Sequence, residues 1–147
     1  MPAGMEYMDG VLEALREYLE EVNCPKKTAL HLEIALEELF TNIASYAYGG
    51  EPGPVRVYCG LEGRELVLEV EDKGISFNPL DREAPDLQLP LEERPVGGLG
   101  IYMVRQFADS VEYQYRDGCN ILRLKKCIRP YLYALLRQNR GKLYDRG

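Results

Sequence analysis

The chain has no tryptophan, one histidine and four cysteines, none of them in a CxxC pair. One histidine cannot complete a zinc site with thiols so widely spaced, so metal chemistry of that kind is excluded. Cys24, Cys59, Cys119 and Cys127 therefore read as small buried apolar residues, with one exception considered below. Positive charge is also short: 18 Lys and Arg against 24 Asp and Glu leave a net −6. A nucleic-acid grip needs a basic surface, so no nucleic-acid partner is expected. No apolar run approaches the ~20 residues that span a bilayer, and no membrane partner is expected. The start, MPAGMEYMDG, has neither a basic stretch nor an apolar core, so it does not read as a signal peptide. The expected location is cytoplasmic. What is present is ordinary for a globular protein. At 147 residues with 46% hydrophobic content, one domain can bury a core without staples.

No internal repeat or low-complexity tract interrupts the chain. Met8, Leu12, Leu15, Leu19 and Val22 recur at spacings of four and three, the stripe of a first helix. Asn23 and Pro25 close it and open a second, marked by Leu32, Leu36, Leu39 and Ile43. That helix is predicted to run to about Tyr48, where Gly49 and Gly50 stop it. The period then becomes two. Val55, Val57 and Cys59, then Leu66, Leu68 and Val70, alternate with polar residues around Gly63, a hairpin. From Gly74 to Gly97, four prolines forbid long regular elements, and such a loop often serves as a lid. A short helix from about Gly100 to Ala108 follows. A second hairpin, Val111–Arg116 and Asn120–Lys126, turns at Asp117-Gly118. Pro130 can open a last helix carrying Leu132, Leu135 and Leu136. The order implies an α+β two-layer sandwich, a mostly antiparallel mixed sheet with helices on one face. Residues 1–128 form the domain and 129–147 a helical extension.

Three stretches can carry chemistry. Glu38 and Asn42, four apart, share a helix face at the rim of the buried stripe. An amide oxygen suits Mg²⁺, which keeps water and phosphate ligands, and the carboxylate can take a proton from an attacking hydroxyl. Alone, such a pair is more often a solvated charge and a rim hydrogen bond. Asp72-Lys73-Gly74 follows a strand, where a fixed carboxylate can accept from the amino group of adenine and the glycine allows close approach to a flat ring. Alone, it is more often a turn. Gly97-Gly98-Leu99-Gly100 precedes helical spacing, and glycine-rich backbone before a helix N-terminus cradles phosphate. Alone, it reads as a hinge.

Their order and combination resemble the GHKL (Bergerat-fold) ATP-binding superfamily, whose fold is that of the histidine-kinase-type ATPases. The stretches EELFTNIASYAY, EDKGISFNPL, VGGLGIYMVRQFAD and VEYQYRDGCNILRLKK are similar to the branch of anti-sigma-factor serine kinases. The resemblance covers most of residues 28–128. It implies Glu38 as general base, Asn42 as the ligand of Mg²⁺ bridging the phosphates, and Asp72 on the adenine amino group. It implies Gly74 beside the base, and ATP phosphates wrapped by Gly97, Gly98, Leu99 and Gly100. The implied activity is transfer of the γ-phosphoryl of ATP to a serine or threonine of an antagonist (anti-anti-sigma-like) protein, with partner exchange releasing a sigma factor. An alternative is an ATP-sensing module that catalyses nothing.

The chain departs from that pattern in two places. Relatives usually begin with a β-strand that often pairs subunits into a homodimer, whereas only Met1–Gly4 precede the helical pattern here. Where a threonine often follows the glycine of the last turn, this chain has Cys119, a poor donor to phosphate, and then Asn120. His31, on the helix of Glu38, reads as structural. Arg94 and Arg105 flank the glycine loop and read as solvated surface.

Overall fold

The computed structural model describes residues 5–49, 51, 53–81 and 99–128. Residues 82–98, and with them most of the lid expected over Gly74–Gly97 and Gly97 and Gly98 of the glycine loop, lie outside the described residues, as does the extension 129–147.

Helix α1 (Met8–Glu21) buries Val11, Leu12, Leu15 and Leu19. It ends because Asn23 adopts a left-handed φ of 56°. That turn lets the Cys24 N–H reach the Leu19 carbonyl at 2.9 Å and the Asn23 N–H reach Glu20 at 3.0 Å. Crossed bonds of this kind satisfy carbonyls that a helix end otherwise orphans. Helix α2 (Lys26–Asn42) starts after Pro25 and buries Leu32, Ala35, Leu36, Leu39 and Phe40. The expectation of one α-helix to Tyr48 needs correction. The last turn, Ile43–Ala47, is a π-turn beginning directly after Asn42. Extra residues in a helical turn are found chiefly beside functional sites.

Strands β1 (Val55–Glu62) and β2 (Glu65–Asp72) form the expected hairpin, with Glu62 opposite Glu65. Gly63 takes φ +65°, as two-residue turns that match strand twist require. Helix α3 (Leu99–Phe107) leads to β3 (Ser110–Arg116) and β4 (Cys119–Cys127). Their turn residues Asp117 and Gly118 both have positive φ, 54° and 76°, the other favoured hairpin geometry.

The sheet order is β1-β2-β4-β3 and every described pairing is antiparallel, so the mixed character expected has no counterpart among the described residues. The reason is that β4, not β3, lies beside β2. Leu122 and Leu124 of β4 are buried, while Glu112, Gln114 and Tyr115 of β3 are exposed and suit an edge. The helices cover one face, where Leu32, Leu36 and Phe40 meet Leu66, Leu68 and Leu124. On the other face, Arg123 spans β2 to bond Glu62 at 2.6 and 2.8 Å and also meets Glu69 at 3.2 Å. Val67, on the strand being crossed, is fully buried. Burial pushes the Cys59 thiol up to about 12, so it stays protonated and unreactive at neutral pH. No helix among the described residues is long and apolar enough to cross a membrane.

Candidate functional site

One cleft, about 580 Å³ counted out to open solvent, lies between the end of α2 and the β2–β4 pair. Leu39, Asn42, Ile43, Tyr46 and Ala47 form its helical wall. Val70, Asp72, Tyr113, Asn120 and Leu122 form the sheet side, and Ile75, Phe77 and Pro79 come from the start of the lid. A mostly apolar cleft with a few polar groups is what a flat heterocycle with a polar edge needs.

The polar groups are bound to one another. Register places Asp72 directly opposite Asn120. Asp72 Oδ1 accepts from the Gly74 N–H at 2.8 Å and from Asn120 Nδ2 at 2.9 Å. Nδ2 also donates to the Ile75 carbonyl at 2.9 Å. Asn120 Oδ1 in turn accepts from the Phe77 N–H at 3.1 Å and from the Tyr113 hydroxyl. Both residues are buried, at 7% and 6% exposure, so each bond offsets a desolvation cost. The Gly74 and Asn120 bonds both fall on Oδ1 of Asp72, whose carboxylate lines the cleft. Sequence reasoning noted Asn120 after Cys119 but gave it no role in the site. Its signal was a polar side chain at an inward position, in step with Leu122 and Leu124. Asn120→Ala is expected to lower the unfolding free energy by about 2 kcal/mol, because it strips a donor from a buried carboxylate. Urea denaturation measures the shift.

Asn42 enters the cleft from the helical wall, and its Nδ2 is buried with no hydrogen-bond partner. An unsatisfied buried amide marks a place for a ligand group or water. A half-turn of the amide about its last bond brings to the same position the hard oxygen that Mg²⁺ takes. Among the described residues no cluster of His, Cys, Asp or Glu could hold a metal by itself. An ion here would need other ligands, which the Asn42 amide oxygen and the phosphates of a nucleotide could supply.

The other sequence candidates are placed as follows. Glu38 is half-buried one turn before Asn42, ~6 Å along the axis, and does not line the cleft. Leu99 and Gly100 form the first turn of α3. Gly74 has a reason beyond a ligand. A Cβ there would overlap the Ala47 carbonyl, whose carbon would lie at 2.8 Å, and the Ile75 N–H bonds that carbonyl at 3.1 Å. Gly74→Ala should therefore cost roughly 1–3 kcal/mol, read as a lower denaturation midpoint. Tyr48 ties the same corner together. Its hydroxyl donates to the Pro54 carbonyl at 2.5 Å and accepts from the Lys73 N–H at 2.7 Å. Burial raises its pKa, and the Lys73 bond partly offsets the rise.

Two expectations are refined. Strand alternation turns Cys119 away from the cleft that Asn120 enters, and hydrogen bonding to Glu71 raises its pKa. The thiol's weakness as a donor therefore does not bear on this cleft. His31 stacks on Phe107 with ring centroids 4.8 Å apart, a packing role as expected. Arg105 is exposed but donates to the Leu80 carbonyl, and Arg94 lies outside the described residues.

With this geometry in place, comparison with known proteins decides the family. The model of the histidine kinase-like ATPase domain matches residues 1–126. The chain belongs to that family. That family is the one the GHKL resemblance pointed to, and curated relatives similar to this chain are named serine-protein kinases. The chain is 33% identical over 98 residues to serine-protein kinase RsbW of Bacillus thuringiensis (strain Al Hakam), covering 64% of this chain and 61% of that protein. RsbW of Bacillus cereus (strain 03BB102) matches equally. The chain thus spans about three-fifths of the length of these relatives. Among solved structures, the histidine kinase AdeS of Acinetobacter baumannii superposes with a TM-score of 0.51 at 17% identity, covering 87% of this chain and 66% of that one. The histidine kinase domain of the Erythrobacter litoralis EL346 blue-light activated kinase gives 0.52 at 16%, covering 87% and 62%. At such identities these structures speak for the histidine kinase-type ATPase fold alone.

Proposed function

We propose that this member of the histidine kinase-like ATPase family binds Mg-ATP in the cytoplasm and transfers its γ-phosphoryl to a serine or threonine of an antagonist protein. The observation that carries the reading is convergence. Asn42 and Asp72, thirty residues apart, line one apolar cleft, the first with an unpartnered buried amide nitrogen and the second with a buried carboxylate. In this reading Asp72 Oδ2 accepts from the adenine amino group, while Ile75 and Phe77 flank the ring. Asn42 meets Mg²⁺ on the phosphates, where the ion would neutralise charge on the leaving group. Gly97, Gly98, Leu99 and Gly100 wrap the phosphates with backbone N–H groups at the start of α3. Glu38 takes the proton of the attacking hydroxyl. Partner exchange, with release of a sigma factor, would follow from phosphorylation of the antagonist.

The name serine-protein kinase carried by the relatives supports the acceptor class. The test is purified protein, labelled Mg-ATP and candidate antagonists encoded beside the chain's gene. Label on serine or threonine is the expected result. Nucleotide retained without labelled product across those candidates would instead make the domain an ATP-sensing module.

A further inference from the structure

We propose that Asn120, backed by Tyr113, is a positioning residue of the nucleotide site: it spends no bond on the ligand and holds Asp72 and the Ile75–Phe77 wall where a purine needs them. The proposal rests on the ATP reading above.

Hydrogen-bonding capacity separates Asn120 from a ligand contact. A carboxamide offers two N–H donors and two acceptor lone pairs. Nδ2 of Asn120 donates to Asp72 Oδ1 and to the Ile75 carbonyl, both at 2.9 Å, and the Gly74 carbonyl stands at 3.4 Å. Oδ1 accepts from the Phe77 N–H at 3.1 Å and from the Tyr113 hydroxyl. The chain itself takes every position, and a nucleotide finds none left. Orientation is fixed too. A carboxylate and two carbonyls accept, while the Phe77 N–H only donates, so turning the amide over would set like against like.

The cleft depends on these bonds. Residues 73–78 lie between β2 and the turn Pro79–Asp81 and pair with no strand among the described residues. Burial does not hold them, because Ile75 is 68% and Phe77 44% exposed. Hydrogen bonds do. From the α2 side, the Ala47 carbonyl accepts from the Ile75 N–H at 3.1 Å. From the sheet side, Asn120 takes the Ile75 carbonyl and the Phe77 N–H. One side chain thus sets the carboxylate and both apolar residues of the wall.

Tyr113 stands opposite Leu122, two residues from Asn120 along β4, a diagonal pair on one sheet face. An amide oxygen only accepts, so the hydroxyl donates. That bond polarises the amide and strengthens its donation to Asp72. Tyr113 also lines the cleft, and direct contact with the base would behave differently from action through Asn120.

Calorimetric titration of ATP and GTP into Tyr113→Phe, Asn120→Ala and the double variant, each beside a urea curve, tells the two apart. Tyr113→Phe should raise the ATP Kd about fivefold and Asn120→Ala about thirtyfold, with the double variant within about twofold of Asn120→Ala, since both act through one amide. GTP binding should change less, so the preference for ATP narrows. Effects that multiply would mean that Tyr113 meets the base directly. Denaturation midpoints that fall while the ATP Kd of both single variants stays within about twofold of the parent would leave Asn120 a residue of the fold only. Either result overturns the proposal. If Asn120→Ala does not fold, Tyr113→Phe decides alone by the same ATP Kd. A parent protein that holds neither nucleotide would fell the ATP reading and this proposal together, whereas a parent that binds ATP beside unaltered variants fells this proposal only.

Discussion

Glu38→Ala is expected to cut phosphoryl transfer to the antagonist by about 10²–10⁴-fold, the usual worth of a positioned general base. Binding of Mg-ATP should change by no more than about threefold, because Glu38 stands outside the cleft proposed to take the adenine. The fold should tolerate the change. The site is half-buried on α2, and alanine is the best helix former. Single-turnover kinetics separate the two effects. Transfer at the parent rate would mean that another group, or water, takes the proton. Loss of binding in step with loss of transfer would mean that Glu38 holds the nucleotide rather than acting on the acceptor.

Asp72→Asn is expected to weaken ATP binding about 100-fold, near 2.7 kcal/mol, with little change in stability. The isosteric amide can still accept from Gly74 and Asn120 through its oxygen. Its nitrogen then presents a donor where the adenine amino group needs an acceptor. Donor facing donor is what makes the loss large. GTP, which offers a carbonyl at that ring position, should suffer less, so the ratio of ATP to GTP affinity should fall. Calorimetric titration with both nucleotides measures it. An unchanged ratio would remove Asp72 from base recognition.

Much of the fold is legible in the chain because turn chemistry is local. Gly63 and Asp117-Gly118 sit between period-two runs, and both hairpins follow from the positive φ that such turns demand. Strand order is not local. Alternation shows that β3 and β4 pair, but not which of them joins β2. Nor could it show that the choice sets Asp72 against Asn120. That single pairing organises the sheet side of the cleft, and for this reason Asn120 went unassigned while Asp72 did not. The π-turn after Asn42 was hidden for another reason: over five residues its apolar pattern is indistinguishable from that of an α-helix. Gly74 was singled out as a point of close approach to a flat ring. The close neighbour that the structure shows is the Ala47 backbone, which by itself explains the glycine.

The most direct measurement is a crystal structure of the chain grown with Mg-ATP. The adenine amino group should lie within hydrogen-bond distance of Asp72 Oδ2, with the ring between Ile75 and the α2 wall and the metal on the amide of Asn42. A nucleotide seated elsewhere, or crystals from millimolar Mg-ATP holding none, would contradict a purine pocket built from these two distant stretches.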